Sequence, residues 1–235
     1  MDETEKLVEK HLKYYGYSQI DFEPDGNVPP DFLVDNRIAI EVRRLNQNHF
    51  NGNHVKGLEE VSIPLWHRFK ALVESSGAPL DGDSWFVYLR FSRPVEKWKT
   101  LRVTLENALD NFKNTSDKRS RVIAKGKGFE LEVWCRTDVP QDTMFVMAGC
   151  SDEESGGWLL PQMQINLEHC VQEKLKKISK VKEKYPEWWL VLADHIGFGL
   201  DVSERDIFRN QVSVDHNWDK IILIDPRDHT RWFEI

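Results

Sequence analysis

A strand that carries a carboxylate in its middle leaves a chain few ways to fold, and residues 29–45, PPDFLVDNRIAIEVRRL, hold such a strand. Alternate side chains of a strand share a face. Ile38, Ile40 and Val42 therefore point one way, and Ala39, Glu41 and Arg43 the other. Glu41 and Arg43 are then neighbours about 7 Å apart along the strand, at roughly 3.3 Å per residue. The segment is otherwise apolar enough to lie at the centre of a sheet, where a charge is costly unless it is paired.

The preceding FLV supplies a test of register. With a three-residue turn, Asp35-Asn36-Arg37, Val34 pairs with Ile38, Phe32 with Ile40 and Asp31 with Glu41. One face then reads Phe32, Val34, Ile38, Ile40 and Val42, wholly apolar, and the other carries Asp31, Leu33, Ala39, Glu41 and Arg43. A two-residue turn would mix the two sets, and a one-residue slip moves every side chain to the wrong face. The odd turn places Asp31 opposite Glu41, about 5 Å apart. Two carboxylates that close repel unless a positive charge lies between them. Oxygen donors suit a divalent cation, Mg²⁺ or Mn²⁺. The same residues also fit an ion pair of Arg43 with Glu41, with Asp31 capping a turn.

Around this hairpin the chain reads as mixed α/β. Leu7, Val8, His11, Leu12 and Tyr15 give a helix over 3–15 that Gly16 stops. A short strand over 18–23 precedes PDGNVPP, a chain break. After a polar loop at 46–54, helices are expected at 56–75 (interrupted by Pro64), 95–112, 164–184 and 203–210. Strands are expected at 84–92, in the basic stretches that follow, at 187–196 and at 220–225. This order predicts a mixed β-sheet flanked by helices. At about 150 residues per domain, 235 residues make one large domain or one core with a sizeable insertion.

Pro30-Asp31, nine residues, then Glu41-Val42-Arg43 resembles the PD-(D/E)XK motif of the restriction-endonuclease-like nucleases. The flanks agree: a leading acidic helix ending in Gly, a hairpin carrying the motif, and a later helix–strand unit at 165–196. The resemblance implies a discontinuous core, 1–45 with 160–235, and an insertion of helices and antiparallel strands over 46–159. It further implies a metal-dependent nuclease that hydrolyses phosphodiester bonds, in DNA rather than RNA. Asp31 and Glu41 would bind Mg²⁺ or Mn²⁺, joined by the Val42 carbonyl and by Glu5 of the first helix, with Glu9 as the substitute. Arg43 stands where the motif has lysine. Arginine stays protonated, so it would stabilise charge on the phosphate instead of accepting a proton. Lys174 or Lys177, on the later helix, could supply the missing ammonium. The alternative is an inactive module on the same fold that binds nucleic acid or protein.

Charge bears on the partner. The formal net charge of −7 argues against a blanket nucleic-acid coat. Residues 113–127 nevertheless set Lys113, Lys118, Arg119, Arg121, Lys125 and Lys127 against Asp117 alone. Residues 173–184 add six lysines, Lys174 and Lys177 among them, against Glu173 and Glu183. These runs suit a phosphate backbone or simply a solvated face. No apolar run is long enough for a membrane span, and the acidic, amphipathic N-terminus is no targeting signal. Three cysteines with no close pair predict a reduced, cytoplasmic protein. His49 and His54 lack a zinc spacing, and Asp194, His195 and Ser203 lack a nucleophile elbow. Of the nine tryptophans, Trp134, Trp188 and Trp189 are expected in the core. Trp66, Trp98 and Trp158 could stack on bases.

Overall fold

Val34 pairs with Ile38 and Phe32 with Ile40, so the hairpin adopts the odd register. Asp35 and Asn36 take left-handed backbone conformations in the turn, with φ of 51° and 53°. Both residue types tolerate that region because their short polar side chains hydrogen-bond locally. The computed structural model describes all residues except Asn53, Asp81 and 138–140, and the backbone alone at Cys135 and Arg136.

In chain order the elements begin with α1 (Glu3–Tyr14), β1 (Ile20–Phe22), β2 (Phe32–Val34), β3 (Ile38–Leu45), β4 (Asn48–Asn51) and β5 (His54–Gly57). Next come α2 (Glu59–Glu74), β6 (Trp85–Phe91), α3 (Trp98–Asn114), β7 (Arg121–Gly126), β8 (Phe129–Arg136) and β9 (Phe145–Asp152). The chain closes with α4 (Leu159–Ile178), β10 (Glu187–Asp194), α5 (Val202–Gln211), β11 (Lys220–Asp225) and β12 (Asp228–Glu234). The fold is mixed α/β, and it divides into two units, 1–48 with 156–235, and 49–155. No helix among the described residues is long and apolar enough to cross a membrane.

The first unit is built on a six-stranded sheet in the order β1-β2-β3-β10-β11-β12. Strands β3, β10 and β11 run parallel, and antiparallel strands complete both sides. Val8 and Leu12 of α1 pack on Phe32, Ile40, Val42 and Val191. Met163, Leu167 and Val171 of α4 cover the other face at Ala39, Leu190 and Leu192. Strand β10 is thus sandwiched between helices, which is why EWWLVLAD reads as a continuous apolar run. α1 opens on a capping box between Asp2 and Glu5 and closes at Gly16, φ +90°.

The second unit has the β4-β5 ribbon and a four-stranded sheet, β7-β8-β6-β9, in which β9 joins β6 in parallel, so the sheet is mixed and not the antiparallel one expected over 46–159. Trp85, Val87, Leu89 and Phe91 alternate inward from β6 to meet α2 and α3 residues such as Phe69, Leu105 and Phe112. Pro64 lies inside α2, which continues through it.

Several expectations are corrected. The polar loop at 46–54 instead holds β4 and the start of β5, and β12 follows the strand at 220–225. The late helix starts at Leu159 and ends at Ile178, before a separate 3₁₀ turn at Lys182–Lys184. Trp134 is not core: it is 46% exposed and stacks on Tyr88 on the outer sheet face, because β8 buries Leu131 and Val133 instead. Trp188 and Trp189 are buried as expected, whereas Trp66 and Trp158 are exposed, Trp158 by 86%. Cys150 and Cys170 are free thiols, and the Cys135 side chain lies outside the described residues.

Candidate functional site

Glu41 sits in mid-strand on the face that α4 covers, and none of its surface reaches solvent. α4 meets that face with a stripe of Met163, Leu167, Val171, Lys174 and Ile178. Spacings of three and four residues put all five on one side of the helix. Lys174 thus takes a place where a leucine would continue the stripe, and it is buried. Its Nζ donates to Glu41 Oε2 at 2.6 Å and to Asp31 Oδ2 at 3.4 Å.

Lys177, one turn further along, donates to the same Glu41 Oε2 at 3.1 Å and lies 3.6 Å from Asp31 Oδ1. Two carboxylates and two ammoniums therefore form one cluster. Asp31 is fixed from below as well, since its Oδ2 accepts the Val42 amide proton at 2.7 Å. Its own N–H donates to the Ile40 carbonyl at 3.0 Å.

The cluster is electrostatically matched but not saturated. Glu41 Oε1 is buried and has no hydrogen-bond partner. Leaving a charged acceptor in that state costs more than leaving a neutral one. Burial is the largest influence on Lys177 and lowers its pKa, but the charges of Glu41 and Asp31 outweigh it and hold the ammonium above its usual value. Lys177 is thus a fixed positive charge at neutral pH and no proton acceptor.

Arg43 does not occupy the place expected of it. Its guanidinium is bound by Glu173 on α4, whose second carboxylate oxygen lies 3.3 Å from His169 Nε2. The face alternation is as read from the sequence, but α4 presents a carboxylate to Arg43 and ammoniums to Glu41. Glu173 is held below the usual carboxylate range: burial, the largest influence, raises it, and Arg43 and His169 outweigh that. In the sequence, Glu173 and His169 carry only a weak signal, a four-residue spacing on a helix with Glu173 beside Lys174.

Glu5 does not join the acids. Its carboxylate closes the capping box on the Asp2 amide at 2.5 Å, and Glu9 is paired with Lys13. Among the described residues no third His, Cys, Asp or Glu gathers with Asp31 and Glu41 into a metal-holding group. The donor chemistry present, two carboxylates with one buried oxygen unpartnered, still fits a small hard cation.

The basic run of the second unit is partly neutralised. Arg119 and Arg121 pair with Asp117, and Lys125 pairs with Glu130, while Lys127 is exposed and Lys118 half-buried. Lys174 and Lys177 belong to the acidic cluster and not to an open basic face. His49 lies 3.5 Å from Glu154. Asp194 accepts the amides of Ile196 and Gly197, which makes it the organiser of a turn; Ser203 is exposed on α5.

No protein-family model matches the chain, and neither do any curated protein or solved structure.

Proposed function

We propose that the protein is a metal-dependent nuclease that hydrolyses phosphodiester bonds at the Asp31–Glu41–Lys174–Lys177 cluster. The observation that carries this reading is the fully buried Glu41, with an unpartnered oxygen, facing Asp31 across two lysines. The element order lends support: α1, the β1–β3 meander with the acids, then α4 leading to β10 parallel to β3. That is the order expected from the resemblance to the PD-(D/E)XK nucleases, and the preference for DNA over RNA rests on the same resemblance.

In this reading Asp31 and Glu41, joined by the Val42 carbonyl, would hold Mg²⁺ or Mn²⁺, and the ion would supply charge neutralisation and an acidified water. The chain's own contribution is positional and electrostatic. The Val42 amide fixes Asp31, and the sheet and α4 fix Glu41. Lys177, half-exposed and permanently charged, is the cation available to a phosphate oxygen, a role that an ammonium already held in place performs with little reorganisation. Lys174 and Lys177 take over the part that the sequence pattern gave to Arg43.

The test is cleavage of supercoiled plasmid and single-stranded oligonucleotides, DNA and RNA, with Mg²⁺, with Mn²⁺ and with chelator. Metal-dependent product from wild type, absent from folded Asp31→Ala and Glu41→Gln, is expected. Wild-type inertness on every substrate, or unchanged cleavage by the variants, overturns the reading. A second reading, a non-catalytic binding module, draws on one observation: the two lysines already neutralise the two acids. It expects salt-sensitive nucleic-acid binding without product.

A further inference from the structure

Away from the acidic cluster, a small cavity of about 180 Å³ opens beside β12 in the first unit. Five aromatic rings line it: His11, Tyr15, Tyr17, Trp189 and Trp232. Tyr15 and Trp232 stand nearly perpendicular, 85° between planes with centroids 5.0 Å apart. Tyr17 and Trp189 meet at 74° with centroids 6.2 Å apart. The Trp232 indole N–H donates to the Tyr15 hydroxyl, which ties two walls together. Glu234 supplies a carboxylate to the same lining.

A cation already rests against this wall. Lys220 Nζ lies over the Trp189 ring at 4.9 Å from its centroid and 3.5 Å from Glu234 Oε2. An aromatic face attracts a positive charge through its quadrupole, and several faces around one charge are the means by which quaternary ammonium groups are recognised. The volume is below the roughly 300 Å³ at which drug-sized pockets begin, so it suits a headgroup and not a whole cofactor.

We propose that this cavity binds a methylated ammonium group, with Lys220 as the internal cation it displaces. The rings supply the cation–π contact and Glu234 the countercharge. Lys220 leaves one aromatic wall and keeps to solvent when the ligand enters. The site is separate from Asp31 and Glu41 and does not depend on their chemistry.

Calorimetric titration of the full chain with tetramethylammonium and choline tests this, with 3,3-dimethylbutan-1-ol as the neutral isostere of choline. Binding of the cations in preference to the alcohol is expected, tighter in Lys220→Met and about tenfold weaker in Trp232→Ala. Glu234→Gln, which leaves the rings in place, should weaken the cations and leave the alcohol unchanged, so the test stands even if Trp232→Ala fails to fold. Trimethyllysine run beside choline identifies whether an amino-acid side chain or a free small molecule is the better carrier. Equal binding of the alcohol, or no cation binding to both wild type and Lys220→Met, overturns the proposal.

Discussion

Lys174 Nζ lies 2.6 Å from Glu41 Oε2 with both side chains out of solvent, on a buried face of α4 whose other members are apolar save Asn166 and Cys170. A buried pair of this kind is seldom the most stable choice. Its desolvation cost rivals its attraction, and removing one member strands the other. Under the nuclease reading, the pair next to Asp31 is a site held ready at some loss of stability.

That relationship can be measured by denaturant unfolding. Lys174→Met should destabilise the protein by about 3 kcal/mol, the lower end for a broken buried pair, because Lys177 still reaches Glu41. The double variant Lys174→Met/Glu41→Leu should recover most of that loss. A double variant no better than the single one would mean that the pair stabilises the fold outright.

Arg43→Gln separates the two candidate cations. Its partner Glu173 is half exposed, so the stability change should stay within about 1 kcal/mol. Under the nuclease reading the variant should retain cleavage that Lys177→Met loses, measured as initial rates on plasmid at matched protein concentration. Loss of activity in Arg43→Gln with Lys177→Met unaffected would return the role to the arginine.

A divalent cation that binds the folded cluster must stabilise it by mass action. Added Mg²⁺ or Mn²⁺ should therefore raise the midpoint of thermal unfolding in wild type and leave folded Asp31→Asn unmoved. An equal rise in both would place the bound ion elsewhere.

Acid should weaken the first unit through His11. Its Nδ1–H donates to the His229 carbonyl at 2.9 Å, and burial, the dominant influence, lowers its pKa below the usual histidine value. The folded state thus prefers the neutral ring. The penalty is absent above the unfolded pKa of about 6.5 and grows as pH falls below it toward the folded value. His11→Phe should flatten the decline in unfolding midpoint between about pH 7 and pH 5. Some slope should persist, because burial and Arg43 also lower the pKa of His169. An unchanged slope would remove His11 as a cause.

The hairpin was legible because its pattern admits one register. Only the odd turn sorts Phe32, Val34, Ile38, Ile40 and Val42 onto one apolar face, and Asp35 and Asn36 suit the left-handed turn it requires. The same two-residue period marked Glu41 as a charge facing a covering element. Strand β12 escaped notice for the opposite reason. It lies at the sheet edge and buries Phe233 alone, so its residues carry almost no periodic signal. Trp134 is exposed despite its aromatic character, which does not say which side of a strand faces the helices.

The readable information is local: periods of two and of three to four, turn chemistry, and the face on which each charge must lie. Which cation meets Glu41 is a different kind of fact. Arg43 is two residues away, whereas Lys174 is 133 residues along the chain, and the choice between them depends on how α4 is rotated over the sheet. That rotation is set by Met163, Leu167, Val171 and Ile178 packing on Ala39, Leu190 and Leu192. The same docking turns Glu173 toward Arg43 and the two lysines toward the acids. Alternation along one strand cannot encode the phase of a helix that joins it from the far end of the chain, so the acids were readable and their partners were decided by tertiary packing.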